Sequence, residues 1–197
     1  MGDIKSAREI AMEKIAAIGE PTAAERLEWK YLPEGEKLSA RYLKGETKLQ
    51  EELVKYDKTA APYIVRGVCA VLVKNINLPR DEPAQKVNKT AMEGLKIVKT
   101  DKSRLEAILN QVRQIFTHYT TQGEQQSKQA YEMLKENFQA KVDQAISQQM
   151  GGKAPNMHID VEKQPQFQEE WRKVKNQMEG QYLHVLAELK QQLTDLK

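Results

Sequence analysis

The feature that most constrains this fold is an apolar stripe along the end of the sequence. Its large apolar residues recur at steps of four, three and four: Phe167, Trp171, Val174, Met178, Tyr182, Val185, Leu189, Leu193 and Leu196. Eleven residues make three turns at about 3.67 residues per turn, so such a stripe stays on one face of an almost straight helix. The pattern therefore predicts one long amphipathic helix from Phe167 onward.

The same period runs through the preceding segment, at Leu105, Leu109, Val112, Phe116, Tyr131, Leu134, Phe138, Val142 and Ala145. The polar stretch in between places only the small residues Thr120, Gly123 and Ser127 in phase. We favour one continuous helix over 103–149 with a narrow waist, because small residues allow another chain segment to approach closely. The alternative is a break at Gly123, since glycine inside a helix costs about 1 kcal/mol relative to alanine.

These two helices, joined by a loop over 150–166, predict a long antiparallel hairpin that occupies residues 101–197. Equal pairing of the helices would place Phe167 beside about Gln149 and Leu196 beside about Thr120. Within the loop, residues 157–162 alternate strictly between apolar and polar, which is typical of a strand. We expect Met157–Val161 to pair with a second copy across a dimer axis, or to lie extended against the hairpin.

Residues 1–100 predict a helical body made of short helices. One amphipathic pattern covers Asp3–Ile18, and a second helix should begin at a capping box formed by Thr22 and Glu25 and end before Pro33. Shorter helices are expected from Glu36 to Leu43, ending at Gly45, and from Thr47 to about Tyr56.

The most apolar segment, Pro62–Ile76, would suit either a buried helix or a buried strand. We favour the helix because no second run of comparable length could pair with a strand. A further helix is expected over Ala84–Lys99. The expected fold is therefore all-α, an N-terminal bundle of short helices followed by the hairpin, with at most one short strand in the hairpin loop.

No catalytic or cofactor motif emerges from the sequence, so an enzyme is not favoured and no cofactor is expected. The single cysteine, Cys69, excludes an intramolecular disulfide and a zinc site built of cysteines. The weak metal-site candidates are His158, Asp160 and Glu162, which the alternation places on one side of the loop strand. A solvated strand face is the competing interpretation.

A cluster of basic residues offers a candidate contact for nucleic acid, at Lys86, Lys89, Lys96 and Lys99. Phosphate binding there would be independent of base sequence and sensitive to salt. No aromatic residue is interleaved to stack on bases, and the net charge is only +3. A nucleic-acid-associated or ribosome-associated factor is therefore the alternative function rather than the favoured one.

The favoured function is a non-catalytic interaction or scaffold protein that self-associates through the hairpin and binds an unidentified protein partner. Two helices alone cannot cover wide apolar stripes, so a homodimer with a four-helix arrangement is expected. The candidate contacts are Ile146, Trp171, Tyr182 and Leu186. A small-molecule carrier around Tyr63–Ile76 is a third and weaker possibility. No apolar run is long enough to span a membrane, so a cytoplasmic location is expected.

Overall fold

The computed structural model describes Ser6, residues 21–149 and residues 160–196. This part of the chain is helical and contains no strand, which confirms the all-α class. Its α-helices are α1 (Ala23–Leu43), α2 (Leu49–Leu53), α3 (Ala61–Lys74), α4 (Glu82–Val98), α5 (Lys102–His118), α6 (Glu124–Gln149) and α7 (Pro165–Asp195). A π-helical turn, Tyr119–Gly123, joins α5 to α6, and a 3-10 turn, Val161–Lys163, precedes α7. The helix predicted over Asp3–Ile18 lies outside the described residues.

The chain divides into two compact units, residues 1–71 and 72–197. Packing therefore groups α4 with α5, α6 and α7. The functional division expected near residue 100 stays a prediction.

Helix α1 begins at the predicted capping box. The Thr22 hydroxyl accepts a hydrogen bond from the Glu25 backbone N–H at 3.2 Å, and the Glu25 carboxylate accepts one from the Thr22 backbone N–H at 2.7 Å. The predicted stop before Pro33 is wrong, because α1 continues through this proline to Leu43. Proline removes one backbone donor but does not end a helix that packing supports. The helix ends, as predicted, just before Gly45, whose φ of 77° favours glycine.

Two glycines allow α1 and α3 to cross at close range. A Cβ atom on Gly35 would overlap the carbonyl oxygen of Ile64, and one on Gly67 would overlap that of Leu32. Both obstacles are backbone atoms, which cannot swing aside as a side chain could. This crossing therefore depends on the absence of side chains at both positions.

The apolar segment Pro62–Ile76 forms α3, which confirms the helical interpretation. Ile64, Val68 and Leu72 are fully buried at spacings of one helical turn. The helix predicted over Ala84–Lys99 is likewise present as α4.

In the second unit, α5 packs against α4 and α7 around a dense apolar core. Its fully or almost fully buried members are Leu95, Leu105, Leu109, Val112, Leu189 and Leu193. Most of these core residues lie on the eleven-residue stripes, but Ile108 of α5 and Leu186 of α7 are buried beside the stripes, and the stripe residue Val185 is exposed.

Helical structure runs without a break from Lys102 to Gln149, which confirms the continuous helix, although sequence did not predict its π-helical turn. Helix α7 runs antiparallel alongside it, but the predicted register is wrong. Phe167 lies against Tyr131 and Phe138, not Gln149, with ring centroids 5.5 and 5.7 Å apart. At the other end, the Lys99 ammonium reaches the carbonyl oxygen of Leu196. The register is shifted because α7 extends past the first residue of α5 as far as Lys99.

The strand predicted in the connecting loop is not formed where the structure describes it. Val161 and Glu162 lie in the 3-10 turn, with Val161 buried at 2% exposure. Residues 157–159 lie outside the described residues. Within the part of the chain that the structure covers, no helix combines the length and apolar character needed to cross a membrane.

The close crossing of α1 and α3 predicts opposite effects for two glycine substitutions. Gly67→Ala should lower the free energy of unfolding by about 1–3 kcal/mol, because the new methyl group overlaps backbone atoms. Gly180→Ala is at an exposed position of α7, where the added methyl group meets open space. It should raise the free energy of unfolding by up to about 1 kcal/mol through helix propensity. Urea denaturation of both variants measures the difference, and equal effects would contradict the close crossing.

Candidate functional site

The π-helical turn is the local irregularity around which the candidate site is built. A π turn lengthens the backbone hydrogen-bond spacing and leaves carbonyl oxygens of the preceding turn in need of donors. The Thr121 hydroxyl donates to the carbonyl oxygen of Thr117 at 2.8 Å, and the Thr120 hydroxyl donates to that of Phe116 at 3.0 Å. Thr120 and Thr121 therefore stabilise the π turn by hydrogen bonds to carbonyl oxygens of the same helix.

Gly123 ends the π turn and makes room for Tyr182 of α7. A Cβ atom on Gly123 would lie 3.0 Å from the Tyr182 hydroxyl oxygen, which is tighter than an ordinary contact. That hydroxyl is 2.8 Å from Nδ1 of His118, and the Tyr119 ring meets the Tyr182 ring edge-on at 5.3 Å between centroids. The predicted close approach at Gly123 therefore exists, but a tyrosine side chain makes it rather than a backbone.

The carboxylate of Glu179 lies next to this aromatic pair and is only 6% exposed. Its Oε2 pairs with the guanidinium of Arg80, and its Oε1 accepts a hydrogen bond from the Tyr119 hydroxyl at 2.8 Å. Burial and the hydrogen bond to Glu179 raise the pKa of Tyr119 to about 12, because both disfavour a second negative charge. Tyr119 is therefore a hydrogen-bond donor over the whole physiological pH range.

Arg80 reaches Glu179 from the loop between α3 and α4, which two side chains hold in place. Asn88, buried on α4, accepts a hydrogen bond from the Asn77 backbone N–H at 2.8 Å and donates to the Asn77 carbonyl oxygen at 2.6 Å. The ammonium group of Lys190 donates to the carbonyl oxygens of Lys74 and Ile76, at the end of α3. Burial lowers the pKa of Lys190.

An open groove of 920 Å³ runs beside the π turn, between the α5–α6 helix and α7. We call it the π-turn groove. Its apolar wall comes from Ile115, Met178, Val185 and the two tyrosines, and its charged groups are Arg80, Glu124, Lys128, Lys175 and Glu179. An apolar cleft of this size with a few fixed polar groups is typical of small-molecule sites.

The residues predicted for self-association do not share one environment. Trp171 and Ile146 are half-buried, and Trp171 packs on Tyr131 with centroids 5.0 Å apart. Tyr182 lines the π-turn groove. Leu186 is only 2% exposed within this single chain, so it is not available at a surface.

The predicted basic face is interrupted. Lys86 and Lys89 are exposed, but Lys96 pairs with Glu93 at 3.3 Å and with Glu106 at 3.6 Å. Lys99 is 6% exposed, and its ammonium group donates to carbonyl oxygens at the end of α7. It therefore caps a helix C-terminus, where a positive charge is favourable, and cannot reach a phosphate.

The metal-site candidates are also engaged elsewhere where the structure describes them. Asp160 pairs with Lys163 at 2.9 Å, and Glu162 accepts a hydrogen bond from Tyr131 at 2.6 Å and pairs with Lys135 at 3.1 Å. His158 lies outside the described residues. Among the residues that are described, no three His, Cys, Asp or Glu side chains converge on a possible metal position.

Sequence reasoning missed Arg80, Tyr119 and Glu179 as a connected group. Arg80 and Glu179 are 99 positions apart, and no periodic pattern links a loop arginine to a helix carboxylate. The available signal was the waist itself, because three small residues in phase with an apolar stripe indicate that something large approaches there.

A family model matches residues 50–195, so the chain belongs to the family of unknown function DUF6657. No curated protein and no solved structure matches the chain significantly.

The contact between Gly123 and Tyr182 predicts that their substitutions are coupled. Gly123→Ala should raise the free energy of unfolding by about 1 kcal/mol through helix propensity. When Tyr182 is present, crowding of its hydroxyl by the new methyl group should offset this gain. In a Tyr182→Phe background the hydroxyl is gone, so the same substitution should stabilise by nearly the full amount. Urea denaturation of the four proteins measures this coupling. Equal effects in the two backgrounds would show that Tyr182 does not crowd position 123.

The raised pKa of Tyr119 predicts a loss of stability in alkaline solution. The folded-state pKa of about 12 lies above the ordinary value of 10, so this stabilisation is complete below pH 10 and is lost as the pH rises through about 12. Between those values the wild type should lose more unfolding free energy than Tyr119→Phe. Denaturation of both proteins below pH 10 and at pH 11 tests this, and parallel losses would contradict it.

Proposed function

We propose that this protein is a non-catalytic interaction protein that self-associates through a helical hairpin formed by α5, α6 and α7. In this proposal residues 1–100 form a helical body and residues 101–197 contain the hairpin. The observation that supports it is a difference between the two ends of the hairpin, since one end has a closed apolar core and the other does not.

At the end near α4, three helices bury the stripe, and Leu109, Val112 and Leu193 are inaccessible to solvent. At the opposite end α6 has α7 as its helical neighbour, and although Phe167 and Val161 are buried there, the apolar face is only half-buried at Leu134, Phe138, Val142, Ile146, Trp171 and Val174. We call this half-buried set the distal stripe. Half-buried apolar residues in a continuous row leave hydrophobic surface that an additional helix would remove from water.

A second copy of the same chain suits the distal stripe. Positive and negative side chains nearly balance along α6 and the first half of α7, so two copies would meet without strong repulsion. Two hairpins brought together would form a four-helix arrangement, in which each helix covers the stripe of its neighbours. The half-buried Ile146 and Trp171 belong to this surface, whereas the buried Leu186 does not.

The alternative, a nucleic-acid-associated or ribosome-associated factor, has less support from the geometry. Lys96 and Lys99 are engaged by carboxylates and carbonyl oxygens, which leaves Lys86 and Lys89 as the exposed members of the predicted set. Two exposed lysines are a small electrostatic contact for a phosphate backbone. Pairing of two hairpins across the distal stripe is therefore the better supported interaction.

The self-association proposal predicts a change of mass on charging the distal stripe. Sedimentation at low micromolar concentration should give about twice the chain mass of 22.6 kDa for the wild type. Val142→Glu together with Ile146→Glu should shift the protein toward monomer, because a dimer would bury the new carboxylates. Gln144→Glu together with Ser147→Glu adds the same charge at exposed positions of α6 and should remain dimeric. A monomeric wild type at all accessible concentrations would refute the proposal.

A further inference from the structure

The π-turn groove has a length and composition that the self-association proposal does not use. It extends along the helices from Gln114 and Val185 at one end to Lys128 and Lys175 at the other. At about 1.5 Å per residue, the stretch from Gln114 to Lys128 spans roughly 20 Å. Small-molecule sites usually have volumes of about 300–1,000 Å³, and the 920 Å³ of this groove falls inside that range.

The negative charge of Glu179 is already satisfied by the protein. One carboxylate oxygen pairs with Arg80 and the other accepts the Tyr119 hydroxyl, so neither is left as the main partner for a ligand. Arg80 uses one nitrogen in this pair, and its side chain is 54% exposed. A guanidinium has five N–H donors, and those directed neither at Glu179 nor at the Tyr119 hydroxyl remain for another acceptor.

The far end of the groove is also positive. Lys128 and Lys175 are exposed, and no ion pair joins either ammonium group to a carboxylate in the described part of the chain. Glu124 is the remaining carboxylate of the groove. With the Arg80–Glu179 pair counted as neutral, two cations, Lys128 and Lys175, face one carboxylate, Glu124, beside an apolar wall of Ile115, Met178 and Val185.

The cost of this arrangement argues that it serves more than packing. Glu179 is buried although its partner Arg80 is half exposed, and burying a carboxylate costs free energy that an ion pair does not always offset. π-helical turns reduce regular backbone hydrogen bonding and occur frequently at functional sites. Here the two features coincide at one groove, and the π turn places Tyr119 against Glu179, which in turn holds Arg80.

We propose that the π-turn groove binds a small amphipathic anion, a molecule with an apolar or aromatic body and one carboxylate, sulfonate or phosphate group. The apolar body would lie against Met178, Val185 and the face of Tyr182. The anionic group would lie near Lys128 and Lys175. This site goes beyond the self-association proposal, because it lies beside the π turn and not on the distal stripe.

The test uses two matched fluorescent probes, anilinonaphthalene sulfonate and the neutral N-phenylnaphthylamine, which differ chiefly in the sulfonate group. The full-length protein should bind the sulfonate more tightly than the neutral amine, with one site per chain. Lys128→Gln together with Lys175→Gln should weaken sulfonate binding roughly threefold to tenfold, the effect of two partly exposed charge contacts, and leave amine binding unchanged. Lys86→Gln together with Lys89→Gln is the matched control and should change neither.

A second pair of variants locates the probe. Val185 is 42% exposed and lines the groove, so Val185→Asp should weaken binding of both probes by placing a charge in the apolar wall without unfolding the protein, whereas Val54→Asp, at an 85% exposed position, should have no effect. Val142→Glu together with Ile146→Glu should leave sulfonate binding intact, which separates this groove from the distal stripe. Circular dichroism verifies the fold of each variant. Equal affinity for both probes, or sulfonate binding that survives Val185→Asp and the double lysine substitution, would overturn the proposal.

Discussion

A buried carboxylate such as that of Glu179 loses the stabilisation of water, a cost of several kcal/mol per ion unless fixed partners replace it. Here the partners are Arg80 and Tyr119, and each comes from a different segment of the chain. The carboxylate therefore joins a loop, the π-helical turn and α7 through two contacts. Loss of either partner would leave a polar group buried without compensation, so the three segments are constrained to one arrangement.

Three further side chains hold the Arg80 loop and two helix ends in place. Arg80 can serve Glu179 only if its loop is fixed, and Asn88 fixes it by hydrogen bonds to both polar groups of the Asn77 backbone. Lys190 satisfies carbonyl oxygens at the end of α3, and Lys99 does the same at the end of α7. Lysines in the sequence therefore need not form a charged surface. Here their ammonium groups donate to carbonyl oxygens at helix C-termini, which have no backbone partner.

The sequence predicted helices well and their partners poorly, for a physical reason. Periodicity reports which face of a helix is apolar, so the stripe at Leu105 and Leu189, the helix over Pro62–Ile76 and the continuity of 103–149 could all be predicted. Register depends on which side chains meet across helices, which is why Phe167 was paired with Gln149 instead of Tyr131. Arg80 carried no signal, because a loop arginine finds its carboxylate only after the fold has formed. The strand predicted from the alternation is not formed where the structure describes the loop, because Val161 and Glu162 belong to a 3-10 turn, whose geometry no period-two pattern reports.

The distal stripe and the π-turn groove lie on the same pair of helices but differ in what surrounds them. In the groove, Arg80, Tyr119 and Glu179 are paired with one another before any ligand arrives, so binding there need not reorganise Arg80 or Tyr119, and preorganisation lowers the cost of association. Along the distal stripe, half-buried Phe138 and Trp171 have no such polar framework and gain mainly by removal from water. A directed contact suits a ligand with one charge in a defined place, while a non-directional apolar contact suits a helical surface of matching length. The chemistry of each surface therefore favours a different class of partner on one continuous helical pair.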